Sequence, residues 1–193
     1  MPFTLGKPKV FTKVPVTIQP LLTPDKGKQT TMYVENVLSL LQSAKKTLYL
    51  QLQYINPSTS PADADFMKLV TALREALERK VDVRIICSQF ESTHLEAMHL
   101  AGLSGVLRIQ HAVHNKGIVV DSKTVVVSSQ NWSADGTLRN RDAGLIIKHP
   151  GIAQFFEANF LQDWESRSSP ASTHETVPAS PPRKAAAKKR GQK

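Results

Sequence analysis

Hydrophobic residues recur along this chain with two periods, one typical of helices and one typical of strands. Val34, Val37, Leu38 and Leu41 follow the helical spacing, whereas apolar and polar side chains alternate over residues 47–55. The same patterns predict further strands at 14–19, 81–87, 107–110 and 143–148, helices at 31–45, 61–80, 93–102 and 150–164, and a hairpin over 114–131.

The predicted hairpin is apolar on both of its faces. Ile118 and Val120 lie on one face of its first strand, and Val119 lies on the other. A sheet that is buried on both sides needs helices on both sides. We therefore expect an α/β fold, an α-β-α sandwich with a central mixed β-sheet.

The net charge of +9 is carried by the two ends of the chain. Residues 1–30 hold five lysines against one aspartate, and residues 166–193 hold seven basic residues against one glutamate, whereas 31–165 has 13 basic and 14 acidic residues. The pattern predicts an extended lead-in at 1–13, a folded domain at 14–165 and a disordered Lys/Ala/Pro-rich tail at 166–193. We expect the basic tail either to stay solvated or to contact polyanions.

Several function classes are excluded by what the sequence lacks. The single cysteine, Cys87, cannot form an internal disulfide, and the histidine and cysteine spacings give no zinc ligand set. No apolar stretch is long enough to span a membrane, and the N-terminus has no apolar signal core. We expect a cytoplasmic protein by default.

Polar residues gather at the open end of the predicted hairpin. If the chain reverses through a two-residue loop at 122–123, His114 lies opposite Asn131 and Lys116 lies opposite Ser129. This register places an imidazole, an ammonium, a hydroxyl and an amide in one patch. Such a patch suits an anionic group, and phosphate is the obvious candidate.

The spacing of this patch resembles the signature of the phospholipase D superfamily. That signature is a His-Lys-Asp motif followed by Gly/Ser-Ser-x-Asn, and it matches His114, Lys116, Asp121, Ser128, Ser129 and Asn131. The resemblance extends upstream to 51–55 and downstream to 140–146, and it covers roughly residues 15–165. Ser128 stands where the family prefers glycine, and the predicted register places it opposite Gly117, where it should fit.

The resemblance implies a role for each residue of the patch. His114 would be the nucleophile that forms a phosphohistidine, or the acid that protonates the leaving group. Lys116 and Asn131 would hold the non-bridging phosphate oxygens, and Ser129 would hydrogen-bond in the same pocket. Chemistry of this kind needs fixed positive charge near the phosphate oxygens and does not require a metal or another cofactor.

Four further residues are candidates for the site. Asp121 matches the aspartate of the motif, but its position in the strand turns it to the opposite face from His114, which favours a structural role at the turn. Asp142 stands where the family has an acidic residue, often glutamate, that orients the histidine. Gln53 and Tyr54 end a strand that should neighbour the hairpin, so they are candidate substrate-binding residues.

The family's active site takes two such motifs, and this chain supplies one. The resemblance therefore implies either a symmetric homodimer with the site on its two-fold axis, or a missing N-terminal half. The lead-in resembles the start of the second half of a bacterial two-motif enzyme, which slightly favours a fragment.

Three functions follow from these observations. The first is a phosphodiesterase of the phospholipase D type, with phospholipid slightly favoured as substrate over nucleic acid, since the folded body is nearly neutral. A nuclease of the same superfamily that acts as a homodimer is the alternative within this class. The others are an orphan half-domain that binds phosphate without turnover, and a nucleic-acid-binding module driven by the tail.

Overall fold

The computed structural model describes residues 14–24, 32–88 and 92–171, with the side chains of 92–94 left out. The strands are β1 (Thr17–Thr23), β2 (Thr47–Leu52), β3 (Asp82–Ser88), β4 (Leu107–Gln110), β5 (Lys116–Val120), β6 (Thr124–Ser128), β7 (Asp142–Lys148) and β8 (Ser169–Pro170). The helices are α1 (Met32–Ser43), α2 (Ala64–Glu78), α3 (Ser92–Leu100) and α4 (Pro150–Ser166), with single turns at Pro61–Asp63, Ser104–Val106 and Asp135–Arg139.

The eight described strands form one mixed sheet in the order β1-β7-β6-β5-β2-β3-β4-β8. Strands β2, β3 and β4 are parallel, and the other neighbours are antiparallel. Since parallel strands need crossover connections, α2 links β2 to β3 and α3 lies between β3 and β4. The predicted α/β sandwich with a mixed sheet is confirmed.

Each face of the sheet has its own hydrophobic core. On one face, buried residues of α1 and α2, such as Val37 and Leu69, pack with Leu50 of β2 and Ile118 of β5. On the other face, α4 contributes Phe160, whose ring stacks on Tyr49 of β2 with the ring centroids 5.0 Å apart. The apolar residues predicted on both faces of β5 are therefore buried between helices.

The elements at the two ends of the described ranges differ from the predicted ones. The first strand begins at Thr17 and ends at Thr23, so the predicted strand at 14–19 is placed too early. The chain also continues past 165, because Arg108 bonds Ser168 through both the side-chain hydroxyl and the backbone carbonyl, and 169–170 then pair with β4. The predicted lead-in at 1–13 and the rest of the predicted tail, 172–193, lie outside the described residues.

The predicted register of the hairpin is wrong by one residue. The β5–β6 ladder pairs Lys116 with Ser128 and Val120 with Thr124, so the loop has three residues, 121–123. Asp121 and Ser122 both have left-handed backbone angles, with φ of 52° and 55°. The chain therefore reverses around Ser122, and Ser128 faces Lys116 rather than Gly117.

Candidate active site

The candidate site lies at the edge of the sheet where β2 and β6 end and where β5 and β7 begin. Strand β2 runs antiparallel to β5, which pairs Gln51 with Gly117 and brings Gln53 to the first residue of β5, Lys116. Strand β6 is antiparallel to both β5 and β7, so Ser128 pairs with Lys116 on one side and with Gly144 on the other. Strand order alone therefore gathers distant segments at this edge.

Lys116 is the central charge of the site. Only 6% of the residue is exposed, and its Nζ donates to the backbone carbonyl of His114 at 2.8 Å and to Oε1 of Gln53 at 3.0 Å. Burial lowers the pKa of this ammonium, and the negative charge of Asp142 partly offsets that effect. The side chain is thus a fixed cation held by neutral acceptors, with a carboxylate nearby.

His114 lies at the surface beside this ammonium. Its Nδ1 is 3.4 Å from Lys116 Nζ, so the two side chains that the sequence predicted on one face do come together. If Nδ1 accepts from the ammonium, the proton of the neutral ring is on Nε2, where it can be donated in a hydrogen bond to an oxygen of a ligand. A nucleophilic Nε2 needs the proton on Nδ1 instead, with an acceptor for it.

Ser129 and Asp142 form a pair next to the lysine. The Ser129 hydroxyl donates to Asp142 Oδ1 at 2.6 Å and accepts from the backbone N–H of Ala143 at 3.1 Å. The structure thus places Asp142 at the candidate site, but with Ser129 as the hydrogen-bond partner of its carboxylate. The contact with His114 that the resemblance implies would require this carboxylate to exchange partners.

Asn131 lies in a tight turn that follows β6. Its backbone carbonyl accepts from the N–H of Ser133 at 2.9 Å, and a Cβ added to Gly136 would lie 2.2 Å from that same oxygen. Within the described part of the chain, the side-chain Oδ1 of Asn131 is buried without a hydrogen-bond partner. The turn therefore depends on the absence of a side chain at Gly136. The unpartnered oxygen of Asn131 is an acceptor, so an anionic ligand would have to be bound through the Nδ2 of the same amide.

A buried chain of hydrogen bonds supports the β6 end of the site. Trp132 Nε1 donates to the Tyr33 hydroxyl at 3.2 Å, and that hydroxyl also bonds Ser128. Ser128 Oγ in turn donates to the backbone carbonyl of Lys116 at 3.4 Å. Burial raises the pKa of Tyr33 to about 12, so it stays a neutral donor. Ser128, which stands where the family prefers glycine, thus links the buried Tyr33 hydroxyl to the backbone of Lys116.

Asp121 lies at the opposite end of β5 from Lys116. Its carboxylate accepts from the backbone N–H groups of Lys45, Lys46 and Thr47, at 2.7 to 3.3 Å. Burial raises the pKa of this carboxyl, but the three backbone hydrogen bonds outweigh that effect and hold it below the usual value. The structure does not bring Asp121 to His114, and its contacts tie the hairpin loop to the start of β2.

The two residues predicted to line the cleft have different surroundings. Gln53 contacts Lys116 directly. Tyr54 lines a small, mainly apolar depression at the ends of β2, β3 and β4, together with Ile55, Cys87, Ser88, Leu95, Met98, Leu107 and Ile109. The structure therefore joins Gln53 to the candidate site, and it places Tyr54 beside that site in an apolar pocket.

Sequence reasoning missed two residues that contact the site. Gln51 accepts from Asn115 Nδ2 at 2.7 Å, and Asn115 is the residue between His114 and Lys116. The available signal was the pair of glutamines, Gln51 and Gln53, on one face at the end of a strand.

The described ranges hold neither a metal-binding cluster nor a membrane-spanning helix. Residues 14–24, 32–88 and 92–171 contain no group of three His, Cys, Asp or Glu side chains that could hold a metal ion. Over the same ranges, no helix is both long and apolar enough to cross a membrane.

Comparison with known proteins gives the family. Residues 37–164 match the family described as cardiolipin synthase, PLD-like domain. The phospholipase D of Rickettsia typhi is 25% identical over 143 residues, which are 72% of this chain and 64% of that protein. The mitochondrial cardiolipin hydrolase of Danio rerio is 27% identical over 111 residues, which are 54% of this chain and 48% of that protein. The chain belongs to the phospholipase D superfamily, and it spans less than two thirds of either relative.

Two solved structures share the fold. A phospholipase D family member, Nuc from Salmonella typhimurium, superposes with a TM-score of 0.63 at 24% identity, over 81% of this chain and 100% of that chain. NucT from Helicobacter pylori gives a TM-score of 0.62 at 13% identity, over 79% of this chain and 98% of that chain. The described domain thus matches almost the whole of two solved chains in its fold.

Proposed function

We propose that this protein is a phosphodiesterase that cleaves its substrate through a phosphohistidine on His114. The observation that carries the proposal is the buried ammonium of Lys116, held beside His114 by the His114 carbonyl and by Gln53. A buried lysine needs a partner for its charge, and its protein partners here are neutral apart from the nearby Asp142. A phosphodiester anion would complete the site.

The proposed reaction has two steps, formation of the phosphohistidine and its hydrolysis. In the first, Nε2 of His114 attacks phosphorus, an N–P bond forms, and the P–O bond to the leaving group breaks while a second histidine protonates the leaving oxygen. In the second, water attacks phosphorus, the N–P bond breaks, and the proton of the water returns to the second histidine. Lys116 and Asn131 stabilise the charge on the non-bridging oxygens in both steps.

The nucleophilic form of His114 requires a proton on Nδ1. The Asp142 carboxylate is the candidate acceptor, since it is close enough to act electrostatically on Lys116, which lies beside His114. In the proposed active form it accepts from the histidine and gives up its bond to Ser129, whose hydroxyl is then available to the phosphate. This exchange gives Asp142 and Ser129 the roles that the resemblance implies.

The second histidine comes from another motif, which we place on a second copy of the chain. The support is an apolar strip on the outer face of β1, β7 and β6, where Ile18, Leu22, Leu145 and Val127 are 38 to 55% exposed. Val127 lies two residues from Ser129 on the same face, so the strip reaches the candidate site. A motif on a different chain is the alternative that the oligomeric state tests.

The proposed substrate is a phospholipid, with a nucleic-acid phosphodiester as the alternative. The names of the sequence relatives, phospholipase D and cardiolipin hydrolase, favour a lipid. The nearly neutral charge of 31–165 agrees, because nucleic-acid binding draws on clustered positive charge.

A paired assay tests the substrate and the catalytic residue together. The full chain and His114→Asn are compared on bis(p-nitrophenyl) phosphate, on phosphatidylcholine and cardiolipin vesicles, and on single-stranded DNA. Turnover of vesicles that is lost in His114→Asn supports the lipid phosphodiesterase, and turnover of DNA alone supports the nuclease. Equal turnover by both proteins on every substrate rejects the catalytic assignment.

A phosphate-binding half-domain without turnover is the second candidate. The bond from Ser129 to Asp142 favours it, because it leaves the histidine without its orienting carboxylate. This candidate predicts that inorganic phosphate binds in a Lys116-dependent manner, with no product from any substrate in the paired assay.

A further inference from the structure

A polar network joins the candidate site to α4, which covers one face of the sheet. Gln51, on β2, accepts from Asn115 Nδ2 at 2.7 Å through its side-chain Oε1. The Nε2 of the same side chain donates to Asp163 Oδ2 at 2.7 Å and to Gln110 Oε1 at 3.2 Å. The oxygen of the Gln51 amide therefore bonds the candidate site, and its two N–H hydrogens bond Asp163 and Gln110.

The carboxylate of Asp163 fixes the direction of this network. A carboxylate accepts and cannot donate, so it holds the NH₂ end of Gln51 on its own side. The Oε1 end must then face Asn115, whose Nδ2 donates a hydrogen bond to it. Only 16% of the Asp163 side chain is exposed, and its other oxygen, Oδ1, accepts from Arg167 at 3.2 Å. The orientation of the amide is thus set by a mostly buried charge.

Asn115 lies just outside the backbone hydrogen-bond ladders of the sheet. The β5–β6 ladder begins at Lys116, and the β2–β5 ladder begins with Gln51 opposite Gly117. The backbone of His114 and Asn115 is therefore outside both ladders. The contact with Gln51 restrains this segment, and the His114 carbonyl that it carries is an acceptor for Lys116 Nζ.

We propose that Gln51 is a positioning residue, which orients the 114–116 segment through Asn115 under the direction of Asp163. The inference rests on the phosphodiesterase function proposed above and deepens it. Loss of the correct amide orientation frees Asn115, displaces His114 relative to Lys116 and slows the attack on phosphorus. Phosphate binding depends on Lys116 and Asn131, so KM changes little.

A charge exchange across the network provides the test. Gln51→Glu alone puts two carboxylates against each other at the contact with Asp163. The pair Gln51→Glu with Asp163→Asn keeps the net charge and restores every bond: the new amide donates to the new carboxylate, which still accepts from Asn115, and Gln110 can flip its amide to donate. Arg167→Ala is the control, since it removes an exposed partner of Asp163 and leaves the bond to Gln51 in place.

The first readout is steady-state kinetics of the full chain on bis(p-nitrophenyl) phosphate. We expect Gln51→Glu to lower kcat about tenfold with KM within about twofold, because small misplacements of a reacting group cost up to about a hundredfold. The charge-exchanged pair should recover kcat to within about threefold of the parent chain. Arg167→Ala should match the parent. A Gln51→Glu variant with unchanged kcat, or a pair that recovers nothing, overturns the proposal.

The second readout does not depend on activity. Backbone ¹⁵N relaxation of His114 and Asn115 should report larger fast motion in Gln51→Glu than in the parent, with return to the parent value in the charge-exchanged pair. Equal order parameters in all variants overturn the positioning role. If the parent has no activity that His114→Asn removes, the proposed function fails, and the relaxation data still decide the role of Gln51.

Discussion

Gly144 lies directly across the β6–β7 ladder from Ser128, and a Cβ added to it would come within 2.6 Å of the Ser128 Cβ. The same Cβ would lie 3.1 Å from the Val127 carbonyl and 3.2 Å from Gln130 Oε1. The serine that stands in the family's glycine position is therefore accommodated by a glycine on the neighbouring strand. The Ser128 side chain occupies the space that a side chain at position 144 would need, so the two residues depend on each other.

Gly144→Ala should lower the free energy of unfolding by about 2–3 kcal/mol, because the strands must separate to admit the methyl group. Ser128→Gly should cost about 1–2 kcal/mol, since the buried Tyr33 hydroxyl loses a partner. The double variant should cost less than the sum of the two. Urea unfolding measures all three, with Gly117→Ala as a control, where the nearest atom would be at an ordinary 3.8 Å. Additive costs would contradict the pairing.

Asp121→Ala should destabilise the domain by about 2–3 kcal/mol at neutral pH, because three backbone N–H groups lose a charged acceptor. The folded pKa of Asp121 lies below its usual value of 3.8, so its contribution is complete above the unfolded pKa and is lost as the pH falls through the folded pKa. The gap in stability between the parent and the variant should therefore close in acid.

The matched control for this prediction is Asp65→Ala. Asp65 is an exposed carboxylate that pairs with Lys68, so its loss should change stability by less than about 0.5 kcal/mol. Urea midpoints measured near neutrality and in acid give both comparisons. A gap for Asp121→Ala that stays constant down to the acid range would show that its carboxylate does not stabilise the loop.

The hairpin shows what the sequence could and could not predict. The valine-rich strands, their burial on both faces and the polar open end follow from local pattern, and the fold prediction is confirmed. The register was wrong because Asp121 and Ser122 adopt left-handed angles that the pattern does not encode. The Asp121 carboxylate binds backbone 74 to 76 residues away, and such a long-range contact is invisible to periodicity.

In the candidate site, too, the local contacts could be predicted from the sequence and the long-range contacts could not. The positions of His114 and Lys116 next to each other follow from their spacing in one segment. The residues that contact this segment come from the end of β2: Gln53 contacts Lys116, and Gln51 contacts Asn115. Only the order of the strands in the sheet brings β2 next to β5. Strand order had to be known before these contacts could be inferred.

Lys116→Met should reduce kcat/KM at least about a hundredfold, because it removes the cation that we propose stabilises the phosphate oxygens. Burial lowers the pKa of Lys116, so in the parent chain activity should fall with rising pH before an ordinary lysine, at 10.5, would lose its proton. The folded pKa is below the unfolded one, so burial of the charge costs stability below the folded pKa, and the cost is relieved as pH rises toward the unfolded pKa. Lys116→Met should therefore not lower the unfolding free energy at neutral pH.

Lys148→Met is the control for this variant, because Lys148 is an exposed residue at the other end of β7. It should retain the activity and the pH profile of the parent chain. Kinetics across the alkaline range and thermal unfolding at neutral pH make the comparison. A strongly destabilised Lys116→Met protein, or one with parental activity, would contradict the assignment of Lys116 as a functional charge.

Gly136→Ala should reduce activity and stability together, because the added Cβ would lie 2.2 Å from the Asn131 carbonyl and must displace the turn. We expect a cost of about 2–3 kcal/mol and a rise in the Kd for inorganic phosphate, since Asn131 is moved from its place. Gly105→Ala is the control, as nothing lies within 4 Å of its added Cβ. Unchanged phosphate binding in folded Gly136→Ala protein would remove Asn131 from the binding site.

A covalent intermediate would be the most direct evidence that His114 is the nucleophile. The full chain is mixed with substrate, denatured rapidly in alkali, where an N–P bond survives, digested, and analysed by mass spectrometry. A nucleophilic His114 predicts a phosphoryl adduct on the peptide that contains it, and no adduct in His114→Asn. Substrate turnover by the parent chain with no adduct on that peptide, or an adduct on a different residue, would contradict it.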